Sequence, residues 1–74
     1  MKVTIEYCAA WNYLPQASSL ESELIKLFPE IDVSLISSGG GVFEVCLNGE
    51  LIFSKKSLGR FPENGEINLL IKKR

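Results

Sequence analysis

The sequence predicts an α/β fold in which a four-stranded mixed sheet packs against helices, in the order β-α-β-β-β-α. Three patterns predict it: alternation of apolar and polar residues near the N-terminus, a following segment with apolar residues at helical spacing, and an Asn-Gly pair between two β-rich runs. The chain has 74 residues, enough for a single domain over residues 1–74 and too few for a second.

The first strand and the first helix follow from their periodicity. From Lys2 to Tyr7 every second residue is apolar, which is typical of a half-buried strand. Pro29 ends the next segment, and Pro15 is tolerated in a helix whose first turn begins near Asn12 or Tyr13. The apolar face of this helix is predicted to consist of Leu14, Ala17, Leu20, Leu24, Leu27 and Phe28.

Three further strands are predicted after the helix. Residues 32–37 form a short second strand, and a helical crossover predicts that it runs parallel to the first with a right-handed connection. After the glycine-rich break at 37–41, residues 42–47 and 50–54 are rich in β-formers. The Asn48-Gly49 pair between them predicts a hairpin.

The C-terminal part of the chain predicts a loop and a short helix. The segment SLGRFPENG after Lys55-Lys56 is typical of a surface loop. Ile67, Leu70 and Ile71 then give one apolar helical face, and the basic end at 72–74 suits a helix C-terminus.

Composition argues against several classes of function. Eight basic and nine acidic residues give a net charge of -1, so neither nucleic acid nor a membrane surface is an expected partner. No apolar stretch reaches the roughly 20 residues of a membrane span, and a soluble, cytoplasmic protein is expected. Two distant cysteines without histidine do not make a metal site, and no cofactor is expected. So few cysteines favour a reactive over a structural thiol.

Several motifs together resemble the selenoprotein W-like (Rdx) family over nearly the whole chain. The resemblance implies a thioredoxin-like fold and thiol redox chemistry in the first loop, where family members carry Cys-x-x-Cys or Cys-x-x-selenocysteine. The matching residues are Tyr7-Cys8-x-x-Trp11, Leu20, Leu24, Phe28-Pro29, Gly41-Val42-Phe43-Glu44-Val45 and the segment from Gly49 to Lys56.

Cys8 and Trp11 are the candidate catalytic residues. Cys8 lies where the first strand ends and the helix approaches, and helix amides there would favour a thiolate. The alternative is a small buried residue that fills the strand end. Trp11 stands at the second redox position, so turnover as a dithiol oxidoreductase is expected to be absent in this chain.

Two interpretations of Trp11 stay open. Its codon UGG differs by one base from UGA, which encodes selenocysteine, so Trp11 either replaces a selenocysteine or is native. A native Trp11 would be an amphipathic cover over the helix start.

A lone Cys8 could still form a mixed disulfide with glutathione or a redox partner protein. An external thiol would then reduce this mixed disulfide and release Cys8. The alternative function is a non-catalytic interaction module, in which Trp11 and Phe43 form an apolar surface and Cys8 is a regulatory thiol.

Three other features receive structural interpretations. Cys46 is predicted to be a packing residue, too far along its strand for a disulfide with Cys8. The loop at 39–41 is predicted to lie beside the Cys8 loop, with Val42 and Phe43 as an apolar lip. Three basic residues after the last strand of the hairpin are predicted to form a solvent-exposed edge of the domain: Lys55, Lys56 and Arg60.

Overall fold

A computed structural model describes all residues from 1 to 74 and has the predicted α/β architecture. Its strands and helices differ from the predicted order by one additional short helix. In chain order they are β1 (Lys2–Cys8), α1 (Leu14–Leu27), β2 (Asp32–Ser38), β3 (Phe43–Leu47), β4 (Glu50–Ser54), α2 (Lys55–Leu58) and α3 (Glu66–Lys72).

The four strands form one mixed sheet in the order β2-β1-β3-β4. β2 is parallel to β1 from the pair Lys2–Asp32 to the pair Cys8–Ser38, as predicted from the helical crossover. β3 is antiparallel to β1, and the β3-β4 hairpin turns at Asn48-Gly49, also as predicted. β1 is therefore a central strand, with β2 on one side and β3 on the other.

The core lies between one face of this sheet and the helices. α1 contacts β1 and β2, whereas α3 contacts β4. Alternating residues of β1 and β3 point into the core because successive strand residues face opposite sides of a sheet. The ten core residues are Val3, Ile5, Ala17, Leu24, Phe43, Val45, Leu47, Phe53, Ile67 and Ile71.

α1 begins at Leu14, directly after Tyr13, so Pro15 falls in the first turn as predicted. The predicted apolar face is wrong at two positions: Leu14 is 45% exposed and Leu27 is 49% exposed. Both lie at the ends of the helix. The helix buries a narrower stripe around Ala17 and Leu24.

The predicted surface loop at 57–65 is wrong at its first two residues, because residues 55–58 form α2, and it is confirmed from Gly59 to Gly65. The Ser54 hydroxyl accepts a hydrogen bond from the Ser57 amide at 3.1 Å, which caps the helix. Gly59 ends it with φ +73°, a conformation that glycine adopts readily. A single turn is too short to show helical periodicity, so only its caps could have indicated it.

No helix has the length and apolar character that crossing a membrane requires.

Candidate functional site

The site predicted from the sequence lies at the end of β1. Because β2 and β3 flank β1, the chain that connects them, residues 39–42, crosses the end of β1 beside Cys8. The Cys8 amide donates to the Val42 carbonyl at 2.9 Å, and the Ala9 amide donates to the Ser38 carbonyl at 2.9 Å. The predicted position of the glycine loop beside the Cys8 loop is therefore confirmed.

Consecutive glycines shape this crossing. Gly40 and Gly41 have φ angles of +69° and +72°, which residues with a side chain rarely adopt. A Cβ atom at Gly41 would lie 2.5 Å from Trp11 Cζ3, so the indole ring packs directly against the Gly41 backbone. No atom would lie within 4 Å of a Cβ at Gly40. Gly41 is therefore the residue at which the connection between β2 and β3 contacts the Trp11 side chain.

Cys8 is completely buried, with 0% of its surface exposed. α1 begins at Leu14, close to the predicted start near Asn12 or Tyr13, so the helix amides that were expected to favour a thiolate come well after Cys8. The Tyr13 amide, which precedes the helix, donates to the Cys8 carbonyl at 3.0 Å. The peptide group of Cys8 is thus fixed by hydrogen bonds, while the helix dipole that was expected to favour a thiolate starts six residues later.

Trp11 projects from a tight turn between β1 and α1. The Asn12 amide donates to the Ala9 carbonyl at 3.0 Å, and Asn12 itself has φ +60°. The Trp11 ring meets Tyr13 edge-on, with ring centroids 6.1 Å apart. It is 63% exposed, so most of the ring lies open to solvent and the expected cover over the helix start is limited to this contact with Tyr13.

An aromatic cluster that was not predicted from the sequence supports the Trp11 turn. Phe61 packs edge-to-face on Tyr13, with centroids 4.7 Å apart, and on Phe43, with centroids 5.3 Å apart. The Lys55 ammonium lies 5.5 Å from the Tyr13 ring and 5.4 Å from the Phe61 ring. Phe61 is the one aromatic residue in a segment rich in glycine, proline and charge, and that contrast is the only sequence signal for its role.

The loop that carries Phe61 is fixed by an ion pair. The two guanidinium nitrogens of Arg60 donate to the two carboxylate oxygens of Glu66 at 2.7 and 3.0 Å. The Glu63 amide donates to the same carboxylate at 2.9 Å. These hydrogen bonds, that from Arg60 foremost, lower the pKa of Glu66 to about 2.

Two predictions about neighbouring residues are wrong in part. Phe43 is only 1% exposed and faces the core, so it forms neither an apolar lip nor an exposed contact surface with Trp11. Of the predicted solvated basic edge, Arg60 is ion-paired and Lys55 is half-buried over aromatic rings. Only Lys56 is an exposed cation without such a contact.

Cys46 does not belong to the site. It pairs with Thr4 across the β1-β3 ladder, four residues along β1 from Cys8. At about 3.3 Å per residue this places it roughly 13 Å from the Cys8 position, well beyond the reach of a disulfide. Both cysteines are free thiols, as predicted.

Comparison with known proteins gives consistent matches over most of the chain. The model of the Rdx family matches residues 2–73. Selenoprotein W from Gallus gallus is 37% identical over 60 residues, which are 77% of this chain and 71% of that protein. Migration and invasion enhancer 1 from Bos taurus is 32% identical over 62 residues, which are 84% of this chain. The match covers 54% of the bovine protein, so this chain spans about half of that relative's length.

Two solved structures have the same architecture. A selenoprotein W-related protein from Vibrio cholerae has a TM-score of 0.92 and 32% identity, covering 97% of this chain and 92% of that one. A protein from Bordetella parapertussis has a TM-score of 0.92 and 27% identity, covering 97% and 94% of the two chains. The predicted thioredoxin-like fold is confirmed by these similarities.

Proposed function

The chain belongs to the Rdx family, and from that premise we propose that it is a thiol redox protein that acts through the single thiol of Cys8. The observation that carries the proposal is the placement of Cys8, at the end of the central strand and next to the Trp11 turn. No second thiol is near it, because Trp11 occupies the other position of the motif and Cys46 lies far along β3.

The proposed chemistry is a thiol-disulfide exchange. The Cys8 thiolate attacks one sulfur of glutathione disulfide or of a partner protein's disulfide. A new S–S bond forms at Cys8, the old S–S bond breaks, and the other sulfur leaves as a thiolate. Cys8 is oxidised and the departing thiol is reduced. A second external thiol must attack the mixed disulfide, because the chain has no resolving thiol of its own near Cys8.

The burial of Cys8 adds a condition to this chemistry. A thiol with 0% exposure cannot meet a disulfide sulfur until its cover moves. Trp11 packs on Gly41, the neighbour of Val42, whose carbonyl accepts the hydrogen bond from the Cys8 amide. We therefore propose that the Trp11 turn controls access to Cys8.

The test measures glutathionylation of Cys8 by intact mass. A Cys46→Ser variant leaves Cys8 as the only thiol and is incubated with glutathione disulfide while folded. One glutathionyl group per chain is expected, and adding Trp11→Ala should accelerate its incorporation. The matched control adds Cys8→Ser to Cys46→Ser and should remain unmodified. If neither Cys46→Ser nor the Trp11→Ala double variant is modified while folded, the proposal is wrong.

The interaction module remains a second candidate function, because one observation favours it. Trp11 is 63% exposed beside a fully buried cysteine, and exposed tryptophan is enriched among residues that dominate protein interfaces. In this alternative a partner protein covers the ring and Cys8 is at most a regulatory thiol. Slow alkylation of Cys8 by iodoacetamide, no faster in Trp11→Ala than in the parent chain, would support it over the redox proposal.

The codon at position 11 tests whether Trp11 is native. UGA followed by a selenocysteine insertion element would mean that the natural protein carries a selenol there. That selenol, ionised at neutral pH, would attack the substrate, and Cys8 would resolve the intermediate. UGG would make the single-thiol chemistry the native one.

A further inference from the structure

The outer edge of β2 lacks the features that usually prevent edge strands from associating. β2 is the last strand of the sheet and pairs without interruption with β1 over seven residues. It contains no proline, lysine, arginine or bulge, and its single charge is Asp32 at the first position. The opposite edge strand, β4, has five residues, lies beside a bulge at Val45/Cys46 and leads directly into Lys55-Lys56.

Apolar side chains border this free edge on both faces of the sheet. Ile36 is 46% exposed and pairs with Glu6, on the face opposite the core. On the helix side, Leu14 and Ile25 are 45% and 49% exposed. They are eleven positions apart and therefore lie along one line of α1, since a helix turns about 100° per residue.

The line of Leu14 and Ile25 faces the β2 edge. Glu23 accepts a hydrogen bond from Asn68 of α3 at 2.8 Å, so its flank of α1 faces α3. Ile25, two positions later, points to nearly the opposite flank, away from α3. Because α3 contacts β4 and α1 contacts β1 and β2, the flank away from α3 lies toward the free edge of β2.

We propose that this surface, formed by the β2 edge together with Leu14, Ile25 and Ile36, is the interface through which two copies of the chain associate. In the proposed dimer the two β2 strands pair antiparallel about Leu35 and continue the sheet to eight strands. This pairing places Val33 opposite Ser37, Ser34 opposite Ile36 and Asp32 opposite Ser38. Core-facing residues thus stay on the core-facing side, and no two charges oppose each other.

A second copy fits this surface better than an extended peptide does. A two-fold axis perpendicular to the sheet places both α1 helices on the same face, so that the two apolar flanks meet above the paired edges. A single added strand would cover the edge and leave Leu14 and Ile25 exposed. A stable interface buries about 800 Å² per partner, roughly a sixth of the 4542 Å² surface of one chain.

The proposal is independent of the redox function. Ser38 is next to Cys8 in the β1-β2 ladder, and antiparallel pairing of β2 places the two Ser38 ends at opposite ends of the interface. Both Cys8 sites therefore remain outside it. A dimer without redox activity, or a redox-active monomer, would separate the two proposals.

Analytical ultracentrifugation of the full chain tests the interface. The weight-average mass should rise from 8.2 kDa toward twice that value as the concentration increases from micromolar to near-millimolar. Ile36→Lys and Ile25→Lys should each raise the dimer dissociation constant by at least about tenfold. The matched controls are Leu51→Lys on the other edge strand and Leu69→Lys on α3, at residues that are 52% and 60% exposed, and they should leave the constant unchanged.

Hydrogen exchange locates the interface independently of these variants. Amides of residues 32–38 should exchange more slowly at high concentration than at low concentration, while those of residues 50–54 should not change. A mass that stays at 8.2 kDa throughout would overturn the proposal. So would equal weakening by all four lysine variants, or protection that appears only in residues 50–54.

Discussion

At the scale of single residues, Trp11 packs on Gly41 of the connection that crosses the end of β1 beside Cys8. The ring occupies the space that a side chain at position 41 would need, and the backbone there has a positive φ. Trp11 is the only tryptophan of the chain, so its fluorescence reports directly on this contact. Neither partner is a conventional catalytic group, and the role proposed for Trp11 in access to Cys8 depends on this contact.

Gly41→Ala should destabilise the chain by about 1–3 kcal/mol and shift the Trp11 emission, because the new methyl group meets the indole ring in a strained backbone conformation. Urea unfolding and steady-state fluorescence measure the two effects. Gly40→Ala is the matched control: its φ is similar, but no atom lies within 4 Å of the added Cβ. It should lower stability without changing the emission, and an equal spectral shift in both variants would contradict the role of the contact.

Trp11→Cys, made together with Cys46→Ser, should form a disulfide with Cys8 and gain turnover with a disulfide substrate and a thiol reductant. Residues 8 and 11 have the spacing of a Cys-x-x-Cys motif, and the hydrogen bond from the Asn12 amide to the Ala9 carbonyl closes a turn that contains residue 11. A thiol count of the oxidised, denatured protein should approach zero. Trp11→Ser in the same background is the control without a second thiol. Equal turnover in the two variants would mean that residue 11 has no resolving role.

At the scale of elements, the segment between α2 and α3 is fixed to α3 by one carboxylate. Glu66 accepts from Arg60 and from the Glu63 amide, and this holds Phe61 against Tyr13 and Phe43. The aromatic cluster beside the Trp11 turn therefore depends on an ion pair located on another element. The hydrogen bonds from Arg60 and from the Glu63 amide also lower the pKa of Glu66 to about 2.

Glu66→Gln should lower stability at neutral pH by about 1 kcal/mol, the upper range for a partly exposed ion pair. Since the folded-state pKa lies below the ordinary value of 4.5, the contribution of the carboxylate is complete above that value. It declines as the pH falls through 4.5 and is lost near 2. Urea unfolding across this range should show the parent and variant converging at low pH.

Glu63→Gln is the control for this comparison, because the Glu63 side chain makes no hydrogen bond to the protein. Its stability difference from the parent should be small and should vary much less with pH. A Glu66→Gln deficit that persists unchanged to the lowest pH would show that the lost contribution is not the charge.

At the scale of the whole molecule, a single layer of helices covers one face of the sheet, and ten residues form the core. In so small a domain each core side chain accounts for a large share of a total stability of about 5–15 kcal/mol. The two leucines near the C-terminal end of α1 differ greatly in this respect: Leu24 is 0% exposed and Leu27 is 49% exposed.

Leu24→Ala should therefore cost about 2–5 kcal/mol, since it leaves a cavity under α1. Leu27→Ala removes the same atoms from the same helix but should change stability by no more than about 0.5 kcal/mol. Thermal or urea unfolding of both variants compares them directly. Similar losses from the two would mean that α1 buries a wider face than the structure shows.

The Cys8 region was only partly predictable from the sequence. Cys8, Trp11 and the neighbouring glycine loop could be located, because each is marked by residue type and by its place next to a strand. Tyr13, Phe61 and the Arg60–Glu66 pair could not, since they come from separate segments and meet only in the folded chain.

By itself the sequence determined the strands, the long helix and the hairpin, because alternation, helical spacing and the Asn48-Gly49 pair are local properties of the chain. Tertiary structure decided that Cys8 is buried, that Phe43 faces the core and that the edge of β2 is free. The physical reason is the strand order β2-β1-β3-β4. It makes β1 central and carries residues 39–42 across its end, and no local pattern encodes which strands become neighbours.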